Sequence, residues 1–122
     1  MLVVLENVAE FDTFLQNNQR VLVKVSASWC MPCKKLQGEI DKLLKITNIN
    51  HKQNILVLEI DIEKIPALIQ KTGINDFNVK SIPALFVFHH GKLKKTNQDY
   101  WEIKEKFPHL TPLEQLKEFI KI

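Results

Sequence analysis

Short apolar runs alternate along the chain with longer stretches whose apolar residues recur every three or four positions, the pattern of strands exchanged with helices. Residues 2–5 (LVVL) predict a first strand. Between 8 and 18, Val8, Phe11, Phe14 and Leu15 share one helical face, and Asn17-Asn18 marks its end. VLVKVSA (21–27) is a near-continuous apolar strand, as expected where both faces of a sheet are covered, and only Lys24 interrupts it. A helix is expected from about Cys30 to Leu44, with Leu36, Ile40, Leu43 and Leu44 as its buried stripe. Ser28 is available near its N-terminus, and Pro32 falls in the first turn, where a missing N–H costs nothing. Gly38 sits inside this helix and weakens it by about 1 kcal/mol relative to Ala, which suggests a bend or a close approach.

A polar connection, TNINHKQN (47–54), leads to a third strand, ILVLEID (55–61). IEKIPALIQKTG (62–73) reads as a helix, with Pro66 near its first turn and Gly73 after its end. ALFVF (84–88) is a strand, His90-Gly91 can turn the chain, and KLKKT (92–96) can return beside it. In the closing helix Thr111 suits the N-cap, Pro112 the first position, and Leu113, Leu116, Phe119 and Ile120 the core face. The order β-α-β-α-β-α-β-β-α, with right-handed crossovers and a final hairpin, predicts an α/β fold. It is a three-layer α/β/α sandwich with a mixed central sheet.

Composition narrows the function. At 122 residues, 45% hydrophobic and 25% charged, the chain suits a single domain spanning 1–122 with one real core. It has no apolar run approaching the roughly 18 to 20 residues of a membrane helix. Its start lacks a basic leader and a signal-peptide core, so a cytoplasmic location and no membrane partner are expected. The net charge of +3 is spread over the chain, mostly as Lys and without interleaved Arg and aromatics, so no nucleic-acid role is expected.

Both cysteines lie in SASWCMPCKK (26–35). In a reducing compartment such a pair is reactive or metal-binding more often than a structural staple. The histidines at 51, 89, 90 and 109 form neither a second CxxC nor an HxxxH pair, which disfavours a structural zinc. A helix N-terminus lowers the pKa of a thiol placed there, because backbone N–H groups and the positive dipole end face the sulfur. Cys33, one turn on, can reach Cys30, and a mixed disulfide at Cys30 can be resolved by Cys33. The inert alternative is disfavoured, since a helix start after Ser-Trp is not expected to be buried.

VLVKVSASWCMPCK resembles the active-site strand, turn and helix of the thioredoxin family, and SIPALFVF resembles its cis-proline loop and following strand. The resemblance implies a thioredoxin fold and a thiol-disulfide oxidoreductase that reduces protein disulfides, with no bound cofactor and no metal. It implies Cys30 as nucleophile, Cys33 as resolving thiol, and Trp29 as a surface platform, with Met31 and Pro32 beside them. It also implies Pro83 as the cis residue facing the disulfide, exposing the backbone of Ile82 to an extended substrate peptide. Partners would be disulfide-containing proteins and a recycling reductase or glutathione system. The alternatives are a disulfide oxidase or isomerase, and a partner-binding module with secondary redox activity.

The chain departs from the family pattern in four places. Lys24 stands where the family has a buried Asp, and the Asp's usual Lys partner aligns with Val57, so the acid is absent and the charge reversed. Lys24 must then snorkel, find a carboxylate or lose its proton, serving proton transfer or pKa tuning, unless it is simply solvated at a strand edge. Met31 replaces the family's glycine, and Gly38 a kinking proline. Finally, TNQDYWEIKEKFPH (96–109) has no glycine and brings Tyr100, Trp101 and Phe107. These are expected to cover the terminal helix, the alternative being that they shape the substrate groove.

Overall fold

The run Arg20–Ser26 forms β2, the middle strand of a five-stranded sheet, and its period of two separates two cores. A computed structural model describes residues 2–7, 9–49, 55–64, 79, 81–97 and 100–121. The elements are β1 (Leu2–Val4), α1 (Ala9–Asn17), β2, α2 (Met31–Ile49), β3 (Leu56–Asp61), β4 (Ala84–His89), β5 (Lys92–Asn97), α3 (Tyr100–Lys106) and α4 (Pro112–Ile120). The strand order is β1-β3-β2-β4-β5. The first three run parallel, β4 runs antiparallel to β2, and β5 runs antiparallel to β4, so the sheet is mixed as expected.

Val21, Val23 and Val25 face one side of the sheet and pack with Phe11 and Leu15 of α1 and with Leu58 and Phe86. Phe11 meets Phe88 edge to face at 6.0 Å. On the other side, Leu22, Val57, Leu85 and Val87 pack under Leu36, Ile40 and Leu43 of α2 and Leu116 and Phe119 of α4. Of the expected stripes, Phe11 and Leu15 of α1, all four residues of α2, and Leu116, Phe119 and Ile120 of α4 are buried, Phe14 and Leu113 are half-buried, and Val8 lies outside the described residues; helices cover both faces of the sheet. The same alternation puts the even-numbered residues of β2 and the odd-numbered residues of β3 on the α2 side. Lys24 and Glu59 follow Leu22 and Val57 onto that face.

The hairpin turns through His90 at φ 52° and Gly91 at φ 78°, the positive pair that a two-residue turn between twisted strands requires. At α4 the Thr111 hydroxyl accepts from the Glu114 N–H, and Glu114 accepts from the Thr111 N–H, a reciprocal cap with Pro112 at the first helical position.

Three expectations change. Helix α2 runs to Ile49 rather than ending near Leu44, because the KITNI that follows Leu44 contains no Gly or Pro and extending a formed helix costs little. The segment 96–109, read as a connection, contains α3. Its Ile103 is buried, and the Phe107 N–H bonds the Ile103 carbonyl. Phe107 packs against the α2–α4 core and its carbonyl accepts from Gln115, so it covers the terminal helix. Ile62–Lys64, where a helix was expected to begin, form a turn; the rest of that segment, with Pro66 and Gly73, lies outside the described residues.

No close approach is found at Gly38 either. It is exposed, and a Cβ built there meets nothing within 4 Å. Gly38→Ala should therefore raise stability by about 1 kcal/mol, read as a higher denaturant midpoint at unchanged m-value.

Candidate redox site

The buried strand β2 ends at Ser26, and after four intervening residues α2 begins at Met31. Between them Cys30 occupies the cap of α2. Its N–H bonds the Ala27 carbonyl at 3.2 Å, and its carbonyl accepts from the Lys34 N–H at 3.2 Å. Its Sγ accepts from the Cys33 N–H, also at 3.2 Å. Sulfur thus takes the role that a Ser or Asp oxygen usually fills, and the cap expected from Ser28 belongs to Cys30 itself. A partial negative charge on Cys30 Sγ is met by a backbone donor and by the positive end of a 19-residue helix.

Cys30 and Cys33 form a disulfide, with their Cα atoms 5.2 Å apart. Both are buried, 4% and 2% exposed, contrary to the expectation for a helix start. The reason is local: Ala27, Ile62 and Ile82 pack around the pair. The residues flanking Cys30 are open instead, Trp29 at 63% and Met31 at 60% exposure, and Pro32 is exposed in the first turn of α2. Across the disulfide, the Ile82 carbonyl oxygen lies 3.9 Å from Cys30 Sγ. The Ile82–Pro83 bond is cis, Pro83 is buried, and β4 starts at the next residue, with Ala84 opposite Val25. Folding therefore gathers Trp29, Cys30, Met31, Pro32, Cys33, Ile82 and Pro83 at one end of the sheet.

Lys24 is not a solvated edge residue. It is 1% exposed on the central strand, and it has found a carboxylate. Its Nζ donates to Gln37 Oε1 at 2.8 Å and to Glu59 Oε1 at 3.3 Å. Ser26 Oγ donates to the same Glu59 oxygen at 2.9 Å. Alignment with Val57 had suggested that no acid remained here. The strand register corrects this, since Val57 stands opposite Leu22 and Glu59 opposite Lys24. Burial pulls the Lys24 pKa below its ordinary value, while attraction and hydrogen bonding from Glu59, and then attraction from Asp41, oppose the shift. A cleft of about 270 Å³ joins Lys24, Ser26, Gln37 and Glu59 to Cys33. Glu59 and Gln37 were missed in the sequence. The signal for Glu59 was present, as the one charged residue inside an otherwise apolar LVLEI run, on the face shared with Lys24.

The thioredoxin family's sequence profile matches residues 2–110. This chain belongs to the thioredoxin family. It is 33% identical over 97 residues to a thioredoxin of Streptomyces clavuligerus, an alignment covering 76% of this chain and 80% of that protein. It is also 33% identical over 84 residues to chloroplastic thioredoxin Y2 of Arabidopsis thaliana, covering 68% of this chain but 45% of that longer protein. Among solved structures, oxidised mitochondrial thioredoxin 3 of Saccharomyces cerevisiae superposes with a TM-score of 0.66 at 19% identity, covering 89% of this chain and 95% of that one. That likeness establishes the thioredoxin fold. In this family setting the Cys30–Cys33 pair is the redox couple of a thiol-disulfide oxidoreductase. Among the described residues no helix is long and apolar enough to cross a membrane.

The buried pair sets a clear stability test. Glu59→Ala would leave the Lys24 ammonium buried against Gln37 alone and should cost about 3 kcal/mol, whereas Lys24→Met with Glu59→Leu should cost far less. A double-mutant cycle in denaturant would measure the coupling.

Proposed function

We propose that this chain reduces disulfides in protein substrates by cycling Cys30 and Cys33 between dithiol and disulfide. The observation that carries this reading is the cap geometry. The sulfur of Cys30 accepts a backbone N–H at the start of α2 and has Cys33 within bonding reach. In the reduced protein the Cys30 thiolate attacks one sulfur of a substrate disulfide, joins it, and expels the other as a thiolate. Cys33 then attacks Cys30 Sγ, breaks the mixed disulfide and releases the second substrate thiol. Two electrons pass to the substrate, and the protein ends oxidised.

The remaining residues divide between docking and tuning. Trp29 and Met31 offer exposed apolar surface on both sides of Cys30, and Pro32 holds the first turn between the thiols. The Ile82 backbone, beside Cys30 Sγ and continuous with β4, suits pairing with an extended segment around the substrate cysteine, with Pro83 behind it. Lys24 tunes the field at Cys33. Its charge is balanced by Glu59, which removes the main argument for an oxidase or isomerase with an unusually stabilised thiolate. Each turnover leaves a disulfide, so a reductase or a glutathione-type system must return two electrons. A reducing compartment, the cytoplasm, suits a chain whose two cysteines form this one pair. The reading treats 1–122 as one thioredoxin-like domain.

Insulin reduction with a regenerating reductant tests the assignment of roles. Cys30→Ser should abolish turnover. Cys33→Ser should accumulate a covalent adduct with substrate at Cys30, visible as a mass increase that a reductant removes. Full turnover by Cys30→Ser would contradict the reading. Retention of a protein partner by a chain with both cysteines changed to Ser would favour the binding-module alternative.

A further inference from the structure

The proposed exchange makes no use of the segment 96–109, one of this chain's departures from the family pattern. Together with β5 and α4, that segment walls a cavity of about 380 Å³ that shares no residue with the cleft beside Cys33. The volume lies in the range of small-molecule sites, roughly 300 to 1,000 Å³. Ile103 and Phe119 are buried in its wall and Phe107 is half-buried, so one part of the lining is aromatic and aliphatic. The rest is largely charged. Lys95 stands opposite Val87 in the hairpin and shares its face of the sheet, towards the α2–α4 core. There it is half-buried, and its Nζ donates to the Glu118 carbonyl oxygen at 3.3 Å. Among the described residues it has no carboxylate partner, because the Glu118 carboxylate is taken by Lys121. Lys106 has none among them either, and its Nζ lies 5.6 Å from the centre of the Phe107 ring. Burial, and then repulsion from Lys106, holds the Lys95 pKa below its ordinary value; attraction from Glu118 opposes this and repulsion from Lys121 adds to it.

We propose that this cavity binds a small organic acid, a single carboxylate on an aromatic or branched aliphatic body. The carboxylate accepts from Lys95 and Lys106, and the body lies against Ile103, Phe107 and Phe119. An ammonium has three protons to donate and Lys95 uses one on a carbonyl, so it has donors to spare. An anion brought between the two lysines cancels their repulsion and forms charge-assisted hydrogen bonds, which are roughly twice as strong as neutral ones. Glu102, one turn before Lys106 on the same face of α3, is the remaining acid of the lining. Two lysines against that one carboxylate leave a small positive excess, which suits a monoanion and disfavours a polyphosphate. Such binding is independent of disulfide reduction, since the cavity shares no residue with the redox site.

Amide NMR spectra of the full chain, titrated with phenylbutyrate and separately with phenylbutanol, test this. Phenylbutyrate should give saturable shifts at Lys95, Ile103, Phe107 and Phe119. Phenylbutanol, which keeps the body and loses the charge, should bind about tenfold more weakly. Lys95→Met keeps most of the side-chain stem and removes its charge. It should weaken phenylbutyrate about tenfold and leave phenylbutanol unchanged. Added salt should weaken the acid alone. Lys106→Gln, at an exposed position of α3, should show the same selective loss if Lys95→Met does not fold. No saturable shift at those residues, equal binding of acid and alcohol, or undiminished binding of the acid to the lysine variant that folds would each overturn the proposal. Shifts confined to Trp29 and Met31 would overturn it too, and place the acid on the apolar rim beside Cys30.

Discussion

A lysine buried on the central strand is the constraint around which the active end of this molecule is arranged. Removing an ammonium from water costs several kcal/mol, and the protein offsets that cost only by bringing acceptors to it. Glu59 comes from the neighbouring strand by parallel register, and Gln37 from the helix above. Ser26, at the end of the same strand, completes the set by donating to Glu59. The strand that carries Lys24 leads within four residues into the cap of α2, so the polar network and the disulfide share one cleft. The thioredoxin fold is kept, with the charge of its interior pair exchanged between strands and shifted by two residues along β3.

The redox pair is built from equally local physics. A helix needs acceptors for its first N–H groups, and here a sulfur supplies one. That bond makes Cys30 the end of the helix and places Cys33 one turn away. Neither thiol is open to solvent, and the exposed surface belongs to Trp29 and Met31 beside them. Under the proposed reading a substrate meets this apolar rim first, and exchange follows at Cys30. Met31 gives this rim a flexible, polarisable side chain that adapts to varied apolar partners.

Much of this was legible in the sequence because it rests on periodicity and on short-range chemistry. The stripes of α1, α2 and α4, the buried run of β2, the hairpin at His90-Gly91 and the Thr111 cap follow from spacing alone. The pairing of WCMPC with SIPALFVF pointed to the residues that gather around the disulfide and to the cis bond at Pro83. The misses have a common cause, which is that they depend on contacts across elements. Glu59 becomes the partner of Lys24 only through strand register, which no single strand reveals. Helix α3 owes its place to Ile103 and Phe107 meeting the α2–α4 core, and a short segment gives little periodic signal of its own. The burial of Cys30 and Cys33 depends on Ile62 and Ile82, which arrive from other segments.

On the proposed reading this dithiol is a donor of electrons, its buried lysine balanced by Glu59 rather than spent on stabilising a thiolate. Equilibrating the protein against glutathione buffers and quantifying the Cys30–Cys33 disulfide measures this directly. About 30 mV corresponds to 1.4 kcal/mol for a two-electron couple, so the titration is sensitive to modest shifts in thiolate stability. A strongly reducing couple is expected, with the disulfide persisting until the buffer is itself strongly reducing. A couple that is already fully reduced in mildly oxidising glutathione would contradict it and identify the chain as an oxidant of thiols.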